Sequence, residues 1–396
     1  MGPTGVSSWP RGANSSGLRI ALAADCWRPT TSGVVTVIVQ LARELVHRGH
    51  HVVVVTVDGP GAGAPGVYRF PSLTFSAASG FRLGLATPRA VRCILQTEAI
   101  DLVHTHTEFS LGWAARGAAR ALGLPLVHTG HTLYEHYRHY LPLGRLVPGR
   151  LVRGYLRAFL RGYDALVCPS VKAQGYYAPL APQTRKAIIG NGLSAAWLAP
   201  HRRGGEARQR ARQALGIQLD ERAVLYVGRM GPEKRVGQLF QLLLSLVQGQ
   251  EGTRAIFAGC GPLLPAMRQA ARKAGAEEKI LFPGAVPWEE MPDLYLATDL
   301  FASASLSEVQ PMTLLEAAAC GLPAVVRRDD AYQGLVEDGY NGCLADSDEQ
   351  LAQAITRLLP DAAELRRLSH NAQCLAGGHT IEAQAARLQA LYQRLL

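Results

Sequence analysis

The chain of 396 residues has no C-x-x-C pair, and its seven cysteines (Cys26, Cys93, Cys168, Cys260, Cys320, Cys343 and Cys374) lie far apart. That spacing indicates neither a zinc site nor a disulfide framework, so the thiols read as reduced, small apolar residues. No apolar run approaches the length of a membrane span, and Leu18 to Cys26 is short and interrupted by Asp25. The expectation is a soluble, cytoplasmic chain. No G-x-G-x-x-G accompanies the first strand-to-helix loop at Gly33, which argues against an ordinary dinucleotide-binding oxidoreductase. With 18% charged and 48% hydrophobic residues there is no case for disorder, and the length reads as two domains.

What is present is unevenly placed. Residues 1–195 carry 20 Lys and Arg against 8 Asp and Glu, and the remainder carries 21 against 23, so the net charge of +10 belongs to the N-terminal half. Such asymmetry points to an anionic surface, membrane or nucleic acid, or to an arginine-rich compositional bias. Much of it falls in Gly149–Arg161, where Arg150, Arg153, Arg157 and Arg161 recur at helical spacing beside Leu151, Tyr155, Leu156, Phe159 and Leu160. This helix can lie on an anionic bilayer with its apolar residues in the interface, or be a core helix with a solvated arginine face. No nucleic-acid motif or aromatic stacking platform accompanies the charge, so nucleic acid is not expected as a partner.

The pattern from Leu18 is strand, loop, helix, strand: Leu18–Leu22, a loop to Gly33, a helix from Val34 to Arg48 stopped by Gly49, and the buried run His51–Thr56. Residues 1–17, rich in Gly, Ser and Pro, read as a tail. Gly33 at a helix start either serves a simple helix entry or lets backbone N–H groups approach a phosphate. After a Gly/Pro-rich crossing come strand signals at Asp101–Phe109 and Pro125–Thr129. The second carries the run His128-Thr129-Gly130-His131-Thr132-Leu133-Tyr134-Glu135-His136-Tyr137. A metal site there lacks a clear ligand triad. A boundary falls between about 193 and 206, and the pattern restarts at Ala223–Val227 with Arg229 and Lys234 beyond a strand end, where a pyrophosphate would need countercharge.

A strand signal at Asp299–Ser303 then leads into Ser307-Glu308-Val309-Gln310-Pro311-Met312-Thr313-Leu314-Leu315-Glu316. On spacing alone Glu308 is a loop charge and Glu316 a first-turn carboxylate completing a cap with Thr313. Alternatively both face the crevice at the carboxyl end of a parallel sheet, where the helix start favours an anion and carboxylates accept sugar hydroxyl protons.

The order Gly-Arg229-x-x-x-x-Lys234, Glu308-x7-Glu316 and Gly339-x-Asn341-Gly342 resembles the retaining nucleotide-sugar glycosyltransferases of family 4. The histidine run, with His-Thr-His-Thr before it, is similar to their 1,2-diacylglycerol 3-glucosyltransferase branch. The resemblance implies an α/β GT-B fold, two Rossmann-like domains with parallel sheets facing a central cleft. It divides the chain into a tail (1–17), an acceptor and membrane domain (18–195), a nucleotide-sugar domain (196–375) and a C-terminal helix crossing back to the first domain (376–396). It further implies Arg229 and Lys234 on the donor diphosphate, Glu308 on the transferred hexose, Glu316 on the ribose, His131 beside the reacting centre and Gly33 lining the donor site. Tyr134, His136 and Tyr137 become candidates for the acceptor site. Pro311 stands where the family commonly has glycine; it cannot donate, so that contact with the sugar is lost or shifts to neighbours such as Met312 and Thr313. The implied reaction moves a hexose, glucose from UDP-glucose, to a lipid such as diacylglycerol at the inner face of the membrane. No cofactor or essential divalent metal and no assigned general base go with it. A soluble sugar or polyol acceptor, or donor binding without catalysis, are the alternatives.

Overall fold

The computed structural model describes residues 17–27, 33–58, 65–76, 81–140, 147–194, 197 and 205–396. The expected tail, the loop Thr30–Ser32 and most of the Pro200–Gly205 boundary lie outside the described residues. Residues up to Gly192 together with Ile381–Leu396 form one compact unit, and Leu193–Thr380 form a second.

The first unit is built on strands β1 (Arg19–Ala24), β2 (His51–Val57), β3 (Val67–Phe70), β6 (Leu102–Thr105), β7 (Leu126–Thr129), β8 (Ala165–Cys168) and β9 (Arg185–Ile188). They form one seven-stranded sheet in the order β3-β2-β1-β6-β7-β8-β9, and every pair is parallel. Val52 to Val55 are buried on both sides of β2, as a continuous valine run in a helix-covered sheet requires. The helix Gly33–His47 before it stops at Gly49, whose φ of 88° lets its N–H reach Val46 O (2.9 Å) while His50 N reaches Leu45 O (3.0 Å). Where a plain crossing was expected, the chain forms β3, the antiparallel pair β4 (Ser72–Ser76) and β5 (Phe81–Gly84), and a helix Pro88–Thr97. That helix carries a local signature: Thr87 accepts from Ala90 N at 3.2 Å, and Pro88 takes the first helical position.

The second unit repeats the plan with β10 (Arg222–Val227), β11 (Thr253–Ala258), β12 (Ile280–Gly284), β13 (Leu300–Ser303), β14 (Ala324–Arg327) and β15 (Gly342–Ala345). Its six-stranded sheet runs β12-β11-β10-β13-β14-β15, again all parallel. Each sheet reverses its strand order once, between β1 and β6 and between β10 and β13. Open parallel sheets place ligands at the carboxyl ends of strands flanking such a reversal.

Candidate functional site

In the second unit, both loops at the reversal carry the charged residues. β10 runs into a turn, Pro232–Lys234, that brings Lys234 under the loop following β13. Its ammonium donates to both carboxylate oxygens of Glu308, at 2.8 and 2.9 Å, with both side chains about 15% exposed (16% and 15%). Arg229 is half-buried in the same turn, its carbonyl accepting the Tyr226 hydroxyl at 3.0 Å. Arg235 is directed elsewhere, onto Asp348 at 2.5 Å. Close packing shapes this turn: a Cβ on Gly259, which has a φ of 130°, would lie 2.0 Å from the Gly228 carbonyl oxygen.

Glu308 stands in a loop pinned from below. Ser305 and Ser307 are buried, and the Tyr332 hydroxyl donates to the Ser305 carbonyl at 3.1 Å. The helix Met312–Ala319 follows, with Pro311 at its N-cap and no side-chain cap. Its first-turn N–H groups, Met312 and Thr313 among them, have no partner within the helix. Thr313 is therefore not the cap, and Glu316 does not complete one. Glu316 is instead buried at 5% exposure, where its Oε2 accepts the Tyr295 hydroxyl at 2.8 Å. Burial pushes its carboxyl up to about 7, against the lowering effect of the Tyr295 hydrogen bond.

In the first unit the reversal is lined by buried polar groups. Asp25, just past β1, accepts from Thr107 and Ser110 hydroxyls (2.8 and 2.7 Å) and from the N–H groups of Leu111 and Gly112 (2.9 and 3.4 Å). It thereby caps the helix Ser110–Leu122 from a distant strand, a role no local pattern announced. Gly33 opens the helix Gly33–His47. Glu108, 1% exposed, gathers the Tyr177 hydroxyl at 2.9 Å, Nε2 of His128 at 3.1 Å and the Tyr134 hydroxyl. Tyr134 is thus turned inward, and burial beside Glu108 raises its hydroxyl well above the usual range. His131, two residues past β7, meets Nδ1 of His106 through its Nε2 at 3.0 Å. Burial and the neighbouring His128 pull its imidazolium down to about 3. Of the other acceptor candidates, His136 is exposed, and the Tyr137 ring stacks on Tyr140 with centroids 6.3 Å apart. Glu108, Tyr177, His106 and Tyr295, like Asp25 and His128, have no role in the expectations from sequence, although His106, Glu108 and His128 stand in the strand-end runs.

The arginine-bearing helix, Gly149–Leu160, corrects one expectation. Leu156, Phe159 and Leu160 are at most 1% exposed and pack into the first unit, so they are not free for a lipid interface. Arg150, Arg153, Arg157 and Arg161 do face solvent, with Leu151 (59% exposed) and Tyr155 (43%) between them. Arg153 is paired to Glu135 at 2.6 Å, and the Tyr155 hydroxyl is held by the Trp113 indole N–H at 2.9 Å and by the Glu108 carbonyl. Among the described residues, no group of three or more His, Cys, Asp or Glu could hold a metal ion, and no helix is long and apolar enough to cross a membrane.

Two parallel α/β units of the GT-B type, the second with a Lys–Glu pair at its strand reversal and a buried carboxylate in the following helix, make up a glycosyltransferase scaffold. The chain belongs to that class: residues 31–197 match the Glycosyltransferase Family 4 model and residues 207–374 the Glycosyl transferases group 1 model. It is 31% identical over 353 residues to an alpha-monoglucosyldiacylglycerol synthase of Streptococcus pneumoniae, covering 88% of this chain and 80% of that one. To the alpha-monoglucosyldiacylglycerol synthase of Acholeplasma laidlawii it is 30% identical over 389 residues, 96% of this chain and 98% of the other. In fold it is similar to Anabaena HepE in complex with UDP and glucose (TM-score 0.75, 20% identity, 96% and 100% of the two chains). It is likewise similar to the sucrose-phosphate synthase of Thermosynechococcus elongatus (TM-score 0.79, 20% identity, 96% and 99%).

Proposed function

We propose that this protein transfers glucose from UDP-glucose to a lipid acceptor, diacylglycerol, at an anionic membrane surface, giving an α-linked glycolipid. The observation that carries the reading is the likeness, over 96% of the chain, to a protein named for that product, joined to the Lys234–Glu308 pair at the strand reversal. In this reading the donor diphosphate takes Lys234 from Glu308. The freed carboxylate then accepts hydroxyl protons of the hexose. Arg229, Lys234 and the first-turn N–H groups at Met312 and Thr313 stabilise charge growing on the leaving diphosphate, and Glu316 holds the ribose hydroxyls.

The configuration at the sugar is retained. Retaining hydrolases place a carboxylate against the anomeric carbon. Here Glu308 is assigned to the sugar hydroxyls and Glu316 to the ribose, so the acceptor attacks from the face the diphosphate leaves, and the departing phosphate oxygen takes its proton. His131 stands beside the sugar, and Gly33 lines the diphosphate. No divalent metal is given a part; the cationic side chains supply the countercharge. Tyr134, His136 and Tyr137 border the acceptor, and the exposed arginines hold the protein at the inner face of the membrane.

The test is an assay with UDP-glucose, with and without diacylglycerol in anionic vesicles, reading UDP and glycolipid separately. UDP release that depends on lipid and yields a glycolipid is the expected result. UDP release without a glycolipid would replace the lipid with a soluble sugar or polyol. Donor binding without any release would reduce the protein to a nucleotide-sugar binder.

A further inference from the structure

Two histidines, one just past β6 and one just past β7, share a single hydrogen bond: Nδ1 of His106 lies 3.0 Å from Nε2 of His131. Their rings stack with centroids 5.3 Å apart and planes 21° from parallel. Burial lowers the pKa of both imidazoliums, His106 well below 6.5 and His131 to about 3, so both rings are neutral near pH 7. Between two neutral imidazoles, one nitrogen of the contact carries the proton and the other a lone pair.

The surroundings of His106 decide which. Its side chain is 2% exposed, its backbone N–H is tied to the Ala23 carbonyl at 2.8 Å, and its Nε2 is buried without a partner. The neighbouring His104 cannot serve that nitrogen. Its own two are occupied, by the Tyr392 hydroxyl at 2.6 Å and the Thr129 hydroxyl at 2.7 Å. A proton on Nε2 of His106 would be a buried donor facing nothing, and orphaned buried N–H groups are rarer than under-used acceptors. The His106 proton therefore belongs on Nδ1.

We infer that His106 is a positioning residue, donating from Nδ1 to Nε2 of His131 and so holding His131 in the tautomer with its proton on Nδ1. The nitrogen that His131 has left is then a donor. Resting on the reading of this chain as a glucosyltransferase with His131 beside the sugar, His131 gives a hydrogen bond to a sugar hydroxyl oxygen. It has no lone pair at Nδ1 with which to take the acceptor's proton.

The test is nitrogen-15 NMR of the full chain labelled at histidine, with signals assigned through His106→Asn and His131→Gln. Nδ1 of His131 should show the shift of a protonated nitrogen and Nε2 that of a lone-pair nitrogen. In His106→Leu the two tautomers of His131 should mix. A parent protein with His131 protonated on Nε2 overturns the inference. In turnover, His106→Leu should lower kcat for glycolipid formation by at least about tenfold with KM for UDP-glucose within about threefold and the thermal midpoint kept. His106→Asn, whose amide N–H stands where Nδ1–H stood, should recover most of it. Parent-like turnover in His106→Leu with mixed tautomers would remove the positioning role. If the parent itself consumes no UDP-glucose, the functional reading fails, while the NMR result still decides the tautomer.

Discussion

At the scale of single residues, the Lys234–Glu308 pair has two consequences. Lys234→Ala should abolish detectable UDP binding by calorimetry. It should also lower stability by about 1–3 kcal/mol, because the largely buried Glu308 loses both hydrogen bonds from the Lys234 ammonium. Unchanged UDP affinity would take Lys234 out of the donor site. Glu316 makes a pH prediction. With its carboxyl at about 7, it is half protonated near neutrality, and only the ionised form can accept two ribose hydroxyls. UDP affinity should fall as pH drops from 8 to 6, and in Glu316→Gln it should be weak and flat across that range; a parallel slope in the variant would place the titrating group elsewhere. The identities of these residues were legible in the chain, since Arg229, Lys234, Glu308 and Glu316 follow one another at recognisable spacings. Their partners were not. Tyr295 on Glu316 and Asp348 on Arg235 are joined only by the tertiary fold, 21 and 113 positions away, and no periodicity encodes such contacts.

At the scale of elements, what was legible followed burial. The valine run of β2 and the strands leading to Glu308 and Lys234 are apolar on both faces, so composition alone marks them. The strands β3 to β5 escaped because Val67–Phe70 is a half-buried edge strand without an alternating pattern. The helix Gly149–Leu160 shows a subtler loss: helical spacing gave the arginine stripe, but an apolar flank does not say whether core or solvent receives it. With Leu156, Phe159 and Leu160 committed to the core, the proposed membrane attraction would fall to the arginines, each worth about 1 kcal/mol near an anionic surface. Replacing Arg150, Arg153 and Arg157 with Gln should therefore weaken binding to phosphatidylglycerol-rich vesicles by roughly a hundredfold in a sedimentation assay. Arg153→Gln alone should matter least, since Glu135 already neutralises it. Undiminished vesicle binding by the triple variant would assign the stripe to ordinary solvation.

At the scale of the whole molecule, the two units should answer acid in opposite directions. The first unit holds His104 and His106, both buried, and the half-buried His131 as neutral rings, each with its pKa lowered from the ordinary 6.5. Below 6.5 the unfolded chain binds protons that the folded unit refuses, so stability is complete above that value and is lost as pH falls. For the two fully buried rings the slope is about 1.4 kcal/mol per pH unit each. Asp25 opposes it, since burial raises its carboxyl above the ordinary 3.8. In the second unit Glu316 has the reverse sign: its carboxyl is raised from 4.5 to about 7, so between those values the folded unit holds a proton that the unfolded chain has released. Its stability should rise as pH falls from 7 toward 4.5. Calorimetric melting at pH 8, 7, 6 and 5.5 should then show two transitions drawing apart, one moving down and one up. Glu316→Gln should remove the pH response of the rising transition and leave the other unaltered. Two transitions that fall together would mean that the histidines are not held neutral by a core of their own, or that Glu316 does not carry its proton in the folded chain; the variant's response tells which.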